Sequence, residues 1–244
     1  MRCFAKTDIG RKRELNEDYI YATIDSRGGL DNLFIVADGM GGHKAGDFAS
    51  KNTVETIVGE ISRDKQTTDV ETIIRNAVDK ANAYIFKCSM EDLNMRGMGS
   101  TLVVCTVKNN EAIVANVGDS RLYLIREKEI TQITKDHSYV EEMVNIGEIN
   151  REEARNHPDK NIITRAIGVK ETVLADIFKV ELKDEDKLLL CSDGLTNMLS
   201  DAEILEYIES MGLEEAVNKL VWEANNKGGL DNISAVLVEP FGGQ

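Results

Sequence analysis

An α+β fold, a single domain of antiparallel β-sheets layered with α-helices, is predicted by three observations: strands come in consecutive groups, helical stretches come in pairs, and no linker interrupts the 244 residues. Eight short segments rich in β-branched and aliphatic residues have strand length and are bounded by Gly, Asn or Asp. They are Tyr19–Ile24, Leu33–Ala37, Thr101–Val107, Ala112–Val117, Arg121–Ile125, Val173–Val180, Lys187–Cys191 and Ile233–Val238. Two longer stretches between Leu33 and Thr101 are helical. In the second, Val70, Ile73, Ile74, Ala77, Val78, Ala81, Ile85 and Cys88 follow helical spacing, and Thr68 with Glu71 has the form of a capping box. Ser200 and Glu203 repeat that signature before Ile204, Leu205 and Ile208, and a last helix is expected over Leu213–Asn225. A strict alternation of strand and helix does not fit this order.

Composition narrows the function classes. Forty-two per cent hydrophobic and 30% charged residues suit a globular core and exclude a disordered chain. The net charge of −14 argues against nucleic-acid and anionic-lipid partners, which require a basic face. No run approaches the roughly 18 to 20 apolar residues of a membrane span. Cys3, Cys88, Cys105 and Cys191 are scattered, with no CxxC pair, as in a reduced cytoplasmic protein whose cysteines serve as small buried hydrophobes. The pentapeptide Gly-Gly-Leu-Asp-Asn occurs at 28–32 and again at 228–232. Nothing similar surrounds the two copies, so it is shared turn chemistry and not a repeat.

The aspartates carry the functional signal. Phe34-Ile35-Val36-Ala37 runs into Asp38-Gly39, Leu188 through Ser192 into Asp193-Gly194, and Val114 through Gly118 into Asp119-Ser120. Asp231 precedes the apolar run at Ile233, and Asp18 precedes Tyr19–Ile24. Any one Asp-Gly after a strand is ordinary turn chemistry. If these ends share one rim, however, their carboxylates repel one another unless cations lie between them. All-oxygen donors suit Mg²⁺ or Mn²⁺, and no His or Cys within these motifs favours zinc.

Seven motifs make the chain recognisable: Arg13-Glu14-Leu15-Asn16-Glu17-Asp18, Ala37-Asp38-Gly39-Met40-Gly41-Gly42-His43, Gly99-Ser100-Thr101, Asn116-Val117-Gly118-Asp119-Ser120-Arg121, Ile163-Thr164-Arg165-Ala166-Ile167-Gly168, Ser192-Asp193-Gly194-Leu195 and Gly229-Leu230-Asp231-Asn232-Ile233-Ser234. In this order, across nearly the whole chain, they resemble the PPM-class (type-2C) metal-dependent protein serine/threonine phosphatases, in their compact bacterial branch. The resemblance implies one domain over residues 1–244, with two antiparallel sheets in a central β-sandwich flanked by pairs of helices. It implies two divalent cations, Mn²⁺ or Mg²⁺. Asp38 bridges them, the Gly39 carbonyl ligates one, Asp193 and Asp231 hold the other, and Glu17 and Asp18 act largely through waters. Asp119, with Asp193, matches the position of a weaker third ion. Arg13 matches the phosphate-binding arginine, whose planar fork suits two phosphoryl oxygens.

The implied reaction is in-line hydrolysis of phosphoserine or phosphothreonine by water activated between the metals, with Asp18, Asp38, Asp193 and Asp231 as the catalytic set. The partners implied are phosphorylated proteins, including a cognate serine/threonine kinase and its substrates. No nucleic acid or membrane is expected, and the chain is expected to be a monomer. One departure concerns the general acid. Met40 stands where eukaryotic members carry a histidine, which leaves His43 or a metal-bound water for that role, while His137 and His157 are expected to be structural. Ser138–Gly168 corresponds to a flap expected to set protein-substrate preference. A catalytically silent module of the same fold is the alternative. Retention of Asp38, Asp193 and Asp231 argues against it.

Overall fold

The computed structural model describes residues 1–41 and 45–242. In chain order its strands are β1 (Arg2–Asp8), β2 (Asp18–Thr23), β3 (Leu33–Met40), β4 (Gly99–Ser100), β5 (Leu102–Lys108), β6 (Glu111–Val117), β7 (Arg121–Arg126), β8 (Glu129–Gln132), β9 (Asp176–Glu181), β10 (Lys187–Cys191) and β11 (Ile233–Glu239). The helices are α1 (Ala45–Arg63), α2 (Val70–Glu91), α3 (Tyr139–Asn145), α4 (Arg151–Asn156), α5 (Asp193–Thr196), α6 (Asp201–Ser210) and α7 (Leu213–Asn226). One sheet has the order β1-β11-β10-β7-β8. The other runs β2-β3-β5-β6-β9, with β4 paired to the end of β3. All the ladders within these sheets are antiparallel.

Three apolar layers follow from strand alternation. Leu33, Ile35 and Ala37 face α1 and α2 together with Ile57, Ile74 and Ile85. Leu189, Cys191, Ala235 and Leu237 face α6 and α7 together with Ile208, Val217 and Leu220. The opposite faces meet between the sheets, where Phe34, Val36, Val103, Val114, Leu122, Leu190 and Val236 pack. The expected sandwich of two sheets between helical pairs is therefore the architecture.

Several local expectations shift. Asp69, not Thr68, caps α2: its carboxylate accepts the Thr72 amide at 3.0 Å, one residue later than the pattern predicts. The Ser200–Glu203 capping box forms as expected. Strand β1 escaped the sequence reading because its burial is mixed throughout, yet it pairs with β11 from Arg2↔Glu239 to Asp8↔Ile233. Strand β8 is a four-residue edge. Strand β9 begins at Asp176, leaving Val173 and Leu174 in the preceding loop. The flap segment contains α3 and also α4, which opens on an Asn150–Glu153 capping box.

All four cysteines are free. Burial pushes the Cys105 and Cys191 thiols up to about 12, as fits inert core residues. Among the described residues no helix is long and apolar enough to cross a membrane. The two pentapeptide copies share a device: each ends in a buried Asn that opens a strand by satisfying a neighbour's backbone. Asn32 bonds both the amide and the carbonyl of Val107, while Asn232 accepts the Glu17 amide and donates to the carbonyls of Ile9 and Leu15.

Candidate active site

The inter-sheet face changes character at one end of the sandwich. On β3 the run Phe34, Val36 continues into Asp38 and Met40, and on β2 Ala22, Ile20 continues into Asp18. From the other sheet, Leu190 leads to Ser192 and Val236 leads to Ser234 and Asn232. The same alternation that builds an apolar core thus aims polar groups into a shared end. Hydrogen bonds cross between the sheets there: Ser192 Oγ donates to Asp18 Oδ2 at 2.7 Å, and the hydroxyls of Thr101 and Ser120 meet at 2.7 Å.

Asp18 and Asp38 are direct cross-strand partners in the antiparallel β2–β3 ladder. Like charges in that position repel. Asp193 adds a third carboxyl whose charge acts on Asp38. Burial, followed by the charges of Asp18, Asp193, Asp119 and Asp231, drives the Asp38 carboxyl far above its usual range. Burial likewise raises Asp18 to about 7 and Asp193 to about 6, and lifts Asp119 well above its normal value. Glu17 is also raised, mainly by burial.

The backbone around these acids is tightly held. The Asp38 amide donates to Thr101 Oγ1 at 2.9 Å, and its carbonyl accepts the Thr101 amide at 2.8 Å. The Gly39 amide donates to the Glu17 carbonyl at 2.9 Å. A Cβ on Gly39 would lie 2.0 Å from the Gly46 carbonyl oxygen, so glycine is required for the end of β3 to meet the first turn of α1. Asp38-Gly39 is therefore strand backbone in close contact with a helix, not the turn that its sequence suggests. Asp193 opens α5 and accepts Asn197 Nδ2 at 2.9 Å, while Asp119 lies just beyond β6.

Arg13 Nη2 bonds Asp231 Oδ2 at 2.7 Å, and its other Nη lies 3.9 Å from Glu17. The guanidinium thus already borders the acids. His137 bonds Gly118 and Asp176, and His157 accepts the Asp159 amide. His43 lies outside the described residues. Sequence reasoning missed Ser192, Thr101, Asn197 and Asn232 as supports of the acids. The first, second and fourth stand within the quoted motifs, so the signal was available.

A hard cation fits this donor set. Five buried side-chain polar atoms have no hydrogen-bond partner among the described residues, and three of them are Glu17 Oε1, Asp18 Oδ1 and Asp193 Oδ1. Orphaned buried carboxylate oxygens are costly without a proton or a cation. Among the described residues, no three of His, Cys, Asp or Glu close into a finished coordination shell.

The molecule is thus a two-sheet sandwich whose carboxylates gather at one end. The chain belongs to the protein phosphatase 2C family, whose pattern it matches over residues 15–233. It is 41% identical over 243 residues to serine/threonine phosphatase stp of Listeria monocytogenes, covering 96% of this chain and 94% of that protein. The serine/threonine phosphatase PstP/Ppp of Mycobacterium tuberculosis superimposes with a TM-score of 0.88 at 36% identity, covering 97% of both chains. A PstP catalytic domain in complex with two manganese ions matches with a TM-score of 0.85 at 34% identity, covering 97% of this chain and 96% of that one.

Proposed function

We infer that the chain dephosphorylates phosphoserine and phosphothreonine on proteins through two divalent cations, Mn²⁺ or Mg²⁺, held at the Asp38 end of the sandwich. The opposition of Asp18 and Asp38, with unpaired buried oxygens on either side, supports this reading. Asp38 would serve both ions, Asp193 and Asp231 would hold one, and the Gly39 carbonyl would hold the other. Glu17 and Asp18 would contribute through waters, and Asp119 with Asp193 would take a third, weaker ion. When bound, the ions supply an acidified water and offset charge on the phosphoryl group.

The protein's own part is placement. Ser192 donates to the Asp18 carboxylate, Asn197 holds Asp193, and Asn232 accepts the Glu17 amide on Oδ1 while its own backbone amide donates to Asp231 Oδ1. Arg13 stands beside Asp231, where its fork can bind two phosphoryl oxygens. The substrates are phosphoproteins of a cognate serine/threonine kinase, and the enzyme works as a cytoplasmic monomer. The test is hydrolysis of an aryl phosphate and of a phosphothreonine peptide with Mn²⁺, with EDTA, and with Asp38→Ala or Asp193→Ala. Activity that survived EDTA or either substitution would overturn the reading.

A further inference from the structure

Beside the acids lies a cavity of about 220 Å³ that the chemistry does not use. Met40, Ala166, Val169, Val173 and Leu174 are the apolar part of its lining, which also includes the charged Arg165 and Lys170. Its position is set by sheet pairing. Met40 follows Asp38 on the same face of β3 and pairs with Gly99 of β4, and Ser100 exchanges both backbone hydrogen bonds with Ile167. The cavity therefore shares a wall with the catalytic strand. Two residues along a strand span roughly 7 Å.

The loop that forms the outer wall is firmly built. Asn82 of α2, itself buried, accepts the Gly168 amide at 2.8 Å and donates to the carbonyls of Lys170 and Glu171 at 3.1 and 3.0 Å. Arg75 holds the Ala175 carbonyl, and Arg165 bridges the Leu174 carbonyl at 2.9 Å to Asp176 at 2.7 Å. Gly168 has φ +83°, and a Cβ there would meet Ile85 at 2.2 Å, so the loop is pressed onto α2. Yet this pinned loop leaves Leu174 66% and Val169 44% exposed. Rigid backbone that presents apolar side chains around a preformed hollow is the build of a binding subsite.

We propose that this cavity receives an apolar side chain of the phosphoprotein substrate, two residues from the phosphorylated one. The proposal rests on the phosphatase reading above. An apolar cavity of roughly 150 Å³ already takes a benzene-sized group, so a leucine-sized side chain fits here. An extended substrate with its phosphate at the acids covers the distance to Met40 in two residues. The occupant meets no bare guanidinium, because Arg165 is engaged by Asp176 and the Leu174 carbonyl.

The test uses phosphothreonine peptides that carry Leu, Ser or Asp in turn at each position within three residues of the phosphothreonine. Each is assayed with Mn²⁺ alongside an aryl phosphate. Leu at one position is expected to raise kcat/KM about tenfold over Ser, the gain from burying one aliphatic side chain. Leu174→Asp and Val169→Asp, on an exposed wall, are expected to reduce that Leu-to-Ser ratio to about one. Peptide turnover with no preference for Leu two residues from the phosphothreonine on either side, or a preference that survives both substitutions, would overturn the subsite and leave the phosphatase reading standing. Failure to hydrolyse either the peptides or the aryl phosphate would overturn both.

Discussion

His137 Nδ1 accepts the backbone amide of Gly118 at 3.0 Å, while Nε2 faces Asp176 at 3.0 Å. The backbones of the two residues also bond, from the His137 amide to the Gly118 carbonyl, and the Thr164 amide returns to the His137 carbonyl. One neutral imidazole thus fastens the entry and exit of the flap to the turn that presents Asp119. Only the tautomer protonated on Nε2 satisfies both contacts.

Protonation would set an N–H of the ring against the Gly118 N–H. Burial, more than any other influence, lowers the His137 pKa from its ordinary value. The folded state therefore binds fewer protons than the unfolded state, and this stabilisation is lost as pH falls through about 6.5 and below. Thermal melts of the Mn²⁺-loaded protein from pH 7.5 to 5 should show it. In His137→Leu that part of the slope should vanish, with about 2 kcal/mol lost at pH 7.5 from the unpaired buried amide.

The acid cluster has the opposite sign when no metal is bound. Its raised carboxyls, about 7 for Asp18 and about 6 for Asp193, bind more protons folded than unfolded. EDTA-treated protein should therefore lose stability as pH rises from about 5 to 8. Mn²⁺ then displaces protons. Calorimetric titration at pH 6 in buffers of different ionisation enthalpy should show net proton release, and heats independent of buffer would contradict it.

Asp38→Asn separates repulsion from function. It removes one of the two carboxylates opposed across β2–β3, so the EDTA-treated variant should melt higher than the parent, by about 1 kcal/mol at pH 8. The same variant should lose the Mn²⁺-dependent rise in Tm and lose phosphatase activity. A lower melting point in EDTA would show that the Asp38 carboxylate is not under repulsion.

Gly39→Ala should destabilise the protein by about 3 kcal/mol in chemical unfolding, because its Cβ would meet the Gly46 carbonyl, backbone that cannot move aside cheaply. Gly97→Ala is a useful comparison. Nothing lies within 4 Å of its added Cβ, so only the cost of a positive φ remains.

Strand alternation and capping chemistry made the core strands, α6 and α7 legible along the chain, because each depends on residues a few positions apart. Strand β1 was not legible, since its half-buried pattern has meaning only against β11, more than 200 residues away. The cap of α2 went to Asp69 because a carboxylate one residue later reaches the Thr72 amide.

The acids themselves could be named from sequence: Asp18, Asp38, Asp119, Asp193 and Asp231 each sit beside an apolar run. Alternation alone determined which side chains share a face with each of them. Only the tertiary structure decided that those faces meet at one end, that Asp18 opposes Asp38, and that Met40 opens onto a hollow walled by residues 163–174. Periodicity within a strand is local, whereas the pairing of two sheets and the docking of a loop on α2 bring together residues that no local pattern relates.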